Sequence, residues 1–134
     1  MLDTVVLLRA LINPRSPAGR LVFDLTDRYD AVLSPPIIRE MLEVVSRSSL
    51  RRKFPRLAEM NIEAMLRILA HADVVEPVEV PPVSRDPADD KFFACAVAGA
   101  ADCIVSEDKD ILAVGEYRGI RTINTIEFIA LLRQ

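Results

Sequence analysis

The sequence predicts an α/β domain in which a parallel sheet lies between layers of helices. Short apolar runs alternate with segments of helical spacing along the whole chain. The runs are continuously apolar rather than alternating, as expected of strands covered on both faces. Half of the 134 residues are apolar, and there is no Trp, so the core is expected to be Leu, Ile, Val and Ala packed without disulfides or a structural metal. One domain over residues 1–134 fits this length.

The elements follow in order. Met1-Leu2-Asp3-Thr4-Val5-Val6-Leu7-Leu8 reads as a short buried strand running into a helix. Asn13 to Pro17 is a break, and Ser16-Pro17 caps a helix to about Asp27 with Leu21, Val22 and Leu25 on one face. Asp30 to Ser34 is the second strand. Ser34-Pro35-Pro36 starts a helix over roughly 35–47, and another helix spans about 57–71. Asp73 to Glu76 is the third strand, and Pro77 to Arg85 is an extended connection too short for a domain linker. Asp86-Pro87-Ala88-Asp89 opens a helix to about Ala98, ended by Gly99. Asp102 to Ser106 is the fourth strand and Ile120 to Ile123 the fifth. Thr125 caps a final helix to Leu132.

The net charge of −3 is unlike that of a strongly basic nucleic-acid binder, but it allows an acidic cleft beside a separate basic patch. Arg47, Arg51, Arg52, Lys53 and Arg56 follow one another without an intervening acid. They read either as a patch for a nucleic-acid backbone or as a solvated helix junction. Cys95 and Cys103 read as small buried hydrophobes rather than a disulfide framework. With no basic leader and no long apolar run, the chain reads as a cytoplasmic protein with no membrane partner.

Ligand sites of open α/β sheets lie at the carboxyl ends of the strands. Asp3 stands at or near the end of the first strand. Glu40 lies in the helix after the second, Asp89 opens the helix after the third, and Asp108 follows the fourth by two residues. Asp89 shares its helical direction with Phe92, Phe93 and Ala96, while Asp90 points about 100° away. Glu40 flanks the stripe of Ile37, Met41, Val44 and Val45, and Glu43 is nearly opposite it. Singly, Asp89 and Asp108 read as first-turn acids serving the helix, and Glu40 as a surface acid. Asp3, in an apolar setting, is costly unless used. His71 reads as a helix-end residue.

Four motifs resemble the PIN domain family. They are Asp3-Thr4 before an apolar run; Ser34-Pro35-Pro36-Ile37-Ile38-Arg39-Glu40; Arg85-Asp86-Pro87-Ala88-Asp89-Asp90-Lys91-Phe92; and Ile104-Val105-Ser106-Glu107-Asp108-Lys109-Asp110-Ile111-Leu112. They are most similar to prokaryotic toxin components of toxin–antitoxin systems, the group that includes VapC-type toxins. The resemblance implies a three-layer α/β/α fold with a five-stranded parallel sheet in the order 3-2-1-4-5. It implies a ribonuclease dependent on Mg²⁺ or Mn²⁺, with catalytic and metal-site acids Asp3, Glu40, Asp89 and Asp108. Asp90 and Asp110 are reserve acids, Thr4 and Ser106 stand near the site, and Arg47, Arg51, Arg52 and Lys53 are candidates for RNA binding. An antitoxin protein and a second copy of the chain are the implied partners. Val5 stands where the family usually carries Asn, which admits the alternative of a module that binds RNA or an antitoxin without cleaving.

Hard oxygen ligands without clustered His or Cys favour Mg²⁺ or Mn²⁺ over zinc. A phosphatase with an aspartyl nucleophile would carry a second acid at position 5, where Val5 stands. A receiver domain would need a mid-chain strand ending in Asp, and no Gly-rich phosphate loop exists among four glycines.

Overall fold

A computed structural model of the chain describes residues 1–47, 52–53 and 66–133. Leu2 enters the fold as an isolated parallel bridge to Val105, not as an extended strand. Helix α1 (Thr4–Ile12) follows at once, and Asp3 is its N-cap. The strand expected from the opening apolar run is therefore reduced to one bridge. Such a run fits either period, but the buried positions Val6, Leu7, Ala10 and Leu11 keep helical spacing.

The single turn α2 (Pro17–Gly19) is capped by Ser16. The helix expected to continue to Asp27 is instead a π-helical segment, Arg20–Asp24, and a 3-10 turn, Thr26–Arg28. The Leu21 carbonyl accepts the Tyr29 hydroxyl at 2.6 Å, and the Leu25 N–H bonds the Arg20 carbonyl at 2.9 Å, one residue further back than an α-helix requires.

Strand β1 (Ala31–Leu33) pairs in parallel with β2 (Ala72–Val74). Between them runs α3 (Pro35–Val45), with Ile37, Met41 and Val45 buried. Of the helix expected over about 57–71, residues 66–70 are helical, and His71 is exposed just beyond them. The rest of that expectation, with Arg51 and Arg56, lies outside the described residues. A 3-10 turn, Pro87–Asp89, leads into α4 (Asp90–Ala98), which Gly99 terminates.

Strand β3 (Cys103–Val105) is followed by α5 (Lys109–Leu112), β4 (Glu116–Tyr117), β5 (Ile120–Ile123) and α6 (Thr125–Leu132). The short α5 and β4 were not anticipated. β4 turns back onto β5 through Arg118 and Gly119, both at positive φ. Asn124, not Thr125, caps α6, in a reciprocal capping box with Glu127.

Of the expected order 3-2-1-4-5, the neighbours 3-2, 1-4 and 4-5 are present and parallel as β2 with β1, Leu2 with Val105 and β3 with β5, but one continuous five-stranded sheet does not form among the described residues. β1 and β2 form one sheet, and the order β3-β5-β4 forms another. Leu2 joins the second sheet through its bridge to Val105, but no ladder connects it to β1 among the described residues. β4 is antiparallel to β5. Asp3 still donates its N–H to the Val105 carbonyl at 3.1 Å and at the same residue caps α1, so the first strand ends there.

Leu7, Leu11, Leu33, Ile37, Met41, Phe93, Ile104 and Ile111 form the innermost core. Phe93 meets Tyr117 edge-to-face at 5.8 Å. Phe93→Ala should lower stability by about 3–5 kcal/mol, read as a lower urea midpoint with an unchanged slope.

Candidate metal centre

Asp3 is only 1% exposed, and both of its oxygens are engaged. Oδ1 accepts the Val6 N–H at 2.9 Å, and Oδ2 accepts the Ser106 hydroxyl. Ser106 is fully buried just beyond β3, and its Oγ also accepts the Asp108 N–H at 3.0 Å. A single hydroxyl thus links the start of α1 to the loop before α5. Burial pushes the Asp3 carboxyl above its ordinary range. The Ser106 and Val6 donors oppose this, while the charges of Asp108 and Glu107 add to it. Thr4 is buried next to Asp3, and its hydroxyl has no hydrogen-bond partner among the described residues. Val5 is 43% exposed in the first turn of α1.

Asp108 caps α5 through Oδ1, which accepts the Asp110 N–H at 2.8 Å. Asp89 closes the 3-10 turn before α4 and is 9% exposed. Its Oδ2 is buried without a hydrogen-bond partner among the described residues. Oxygens of Asp86, Asp89 and Asp110 lie within 4.8 Å of one another. The Asp89 carboxyl is pushed up to about 6, first by burial, then by Asp108 and Asp86; Lys91 pulls it down, and Asp110 adds a smaller push.

The structure therefore brings Asp89 and Asp110 into one cluster, with Asp108 near enough for its charge to act on both Asp3 and Asp89. Asp86 was missed as a cluster member. It caps the 3-10 turn, accepting the Ala88 N–H at 3.0 Å, and its position in an Asp-Pro pair looks like a cap and nothing more. Glu40 does not join the cluster; its Oε2 meets the Lys91 ammonium across α3 and α4. Asp90 is turned aside, its Oδ1 accepting the N–H groups of Val83 and Ser84 at 3.2 and 2.9 Å. It pins the incoming connection rather than facing the cleft. Asp110 also pairs with the exposed Arg85 at 3.1 Å. Arg47 pairs loosely with Glu43 at 3.9 Å, and Arg52 and Lys53 are exposed.

The donor set suits a hard divalent cation. It is all carboxylate oxygen, and the buried Asp89 Oδ2 lacks a hydrogen-bond partner among the described residues. Burial and the neighbouring acids push the Asp89 carboxyl up, and a bound cation would offset that repulsion.

Stability should follow the acids. Asp89 has a folded-state pKa of about 6 against an unfolded value of about 4, so the native state binds more protons between them. In metal-free protein, stability should fall as pH rises from about 4 to 6. Asp89→Asn should reduce that fall and stabilise the protein at pH 7, as measured by urea unfolding at several pH values.

No helix among the described residues is long and apolar enough to cross a membrane. No curated protein and no solved structure matches the chain. A family model described as PIN domain matches residues 1–110. Members of this family are in general metal-dependent nucleases, and an acidic cluster lies within the matched region. With most of its length and Asp3, Glu40, Asp89 and Asp108 inside that match, the chain belongs to the PIN domain family.

Proposed function

We propose that this chain is a Mg²⁺- or Mn²⁺-dependent ribonuclease and the toxin component of a toxin–antitoxin system, acting in the cytoplasm. The observation that carries the nuclease reading is the Asp89 carboxyl: it is gathered with those of Asp86 and Asp110, and its Oδ2 is buried without a hydrogen-bond partner among the described residues. An isolated charge there is costly, and Asp108, Asp86 and Asp110 add negative charge against the opposing Lys91. Asp89, Asp86 and Asp110 are the candidate ligands, with Asp108 and Asp3 supplying further negative charge. Bound there, a divalent cation would polarise the scissile phosphate and make an attacking water nucleophilic at neutral pH.

The remaining work belongs to the chain. Ser106 holds Asp3 in one orientation and fixes the Asp108 backbone beside it. Asp90 ties the 77–85 connection down, so Asp86 and Asp89 are presented from a fixed turn. Arg47, Arg51, Arg52 and Lys53 form the proposed contact for the RNA backbone. The toxin role, with an antitoxin and a second copy of the chain as partners, rests on the similarity of the four motifs.

The expected result is Mn²⁺-dependent cleavage of RNA by the parent protein and a loss of about 10²-fold or more in Asp89→Asn. Asp3→Asn should lose activity as well, with its fold retained by circular dichroism. A parent that binds Mn²⁺ weakly and cleaves nothing would instead support the non-cleaving binding module. Charge reversal at Arg51 and Arg52 should weaken RNA binding and flatten its dependence on salt; an unchanged salt slope would return that stretch to an ordinary helix junction.

A further inference from the structure

Lys91 lies at the start of α4, two residues beyond Asp89, and its ammonium meets Glu40 of α3. The same ammonium stands 5.3 Å from the centroid of the Phe92 ring. Its charge reaches Asp89, where it opposes the upward push of the neighbouring acids. Lys91 is thus a cation fixed at the rim of the acidic cluster, with 28% of its side chain still open to solvent.

Glu40 is placed differently from the other acids. Its oxygens are not among those gathered around Asp89, and one of them is taken by Lys91. A carboxylate held by an ammonium on a neighbouring helix is poorly disposed to leave it for a metal. The ammonium, in contrast, carries three donors, and Glu40 occupies one side of it.

We infer that Lys91 contacts a phosphate oxygen of the nucleic-acid substrate, and that Glu40 is a positioning residue acting through Lys91 rather than a metal ligand. The inference rests on the nuclease reading above. A cleft lined by carboxylates repels an incoming phosphate, and a cation fixed beside it offsets that repulsion at one place. Lysine serves phosphates as a point charge, and its attachment to Glu40 lowers the ordering cost of presenting it.

The test uses the full chain as parent, Lys91→Gln, Lys91→Arg and Glu40→Gln. Cleavage of a labelled single-stranded RNA in Mn²⁺ is followed at several salt concentrations, and Mn²⁺ binding is measured separately by electron paramagnetic resonance without RNA. Lys91→Gln should raise KM about tenfold and lower the slope of log KM against log salt by roughly 0.7, the loss of one phosphate contact on a single strand. Its Mn²⁺ affinity should not fall. Lys91→Arg should keep most of the parent's KM, and Glu40→Gln should shift KM in the same direction as Lys91→Gln while still binding Mn²⁺. An active parent whose Lys91→Gln form keeps the same KM and salt slope overturns the inference alone. So does a Glu40→Gln protein that loses Mn²⁺ as fully as Asp89→Asn. A parent that neither binds Mn²⁺ nor cleaves RNA overturns the nuclease reading and this inference with it.

Discussion

Asp3 is an acid almost without contact with water, and each of its oxygens has a protein donor. One oxygen starts α1, and the other reaches Ser106, more than a hundred residues away in the chain. Around that carboxylate, the backbone of residues 1–3 lies against β3: the Val105 N–H donates to the Met1 carbonyl at 2.9 Å, and the Asp3 N–H to the Val105 carbonyl at 3.1 Å. The first helix is thereby anchored to the strand that leads into Asp108. Burying a carboxylate is unfavourable on its own, so the donors around it hold Asp3 in one orientation. That orientation sets where the start of α1 stands relative to the acids of the cleft.

Charge balance distinguishes the acids from one another. Glu40 and Asp110 have cationic partners in Lys91 and Arg85, of which only the first is mostly shielded from solvent. Asp90 is consumed by backbone donors. Glu107 accepts the Thr125 N–H at 3.1 Å and helps start α6. What is left is Asp89, whose buried Oδ2 has no donor among the described residues. Acids that look alike in sequence thus divide into those that build the turns and those that face one another.

The alternation of apolar runs and helical segments made β1, α3, β3, β5 and α6 legible from sequence, because each obeys a single period between clear breakers. The helical direction of Asp89 was also legible: it shares a face with Phe92, Phe93 and Ala96, all buried. The opening segment was legible as a short strand running into a helix, since residues 1–3 pair with β3 and α1 follows at once. The stretch after Gly19 was not, because a hydroxyl from Tyr29, eight residues beyond Leu21, competes for its carbonyl. The strand β4 is too short to show a pattern and exists through its pairing with β5.

Sequence by itself determined the class of the fold, the oxygen-only character of the candidate ligands and the segments that supply them. These depend on residue type and local spacing, which the chain carries wherever it goes. Only tertiary structure decided which acids meet. Asp86 joins Asp89 and Asp110 because a proline-bounded turn and the first turn of α5 come together, and Glu40 turns to Lys91 because α3 lies beside α4. Electrostatic interaction falls off with separation in space, not along the chain, so the role of each carboxylate follows from the charge that folding places next to it.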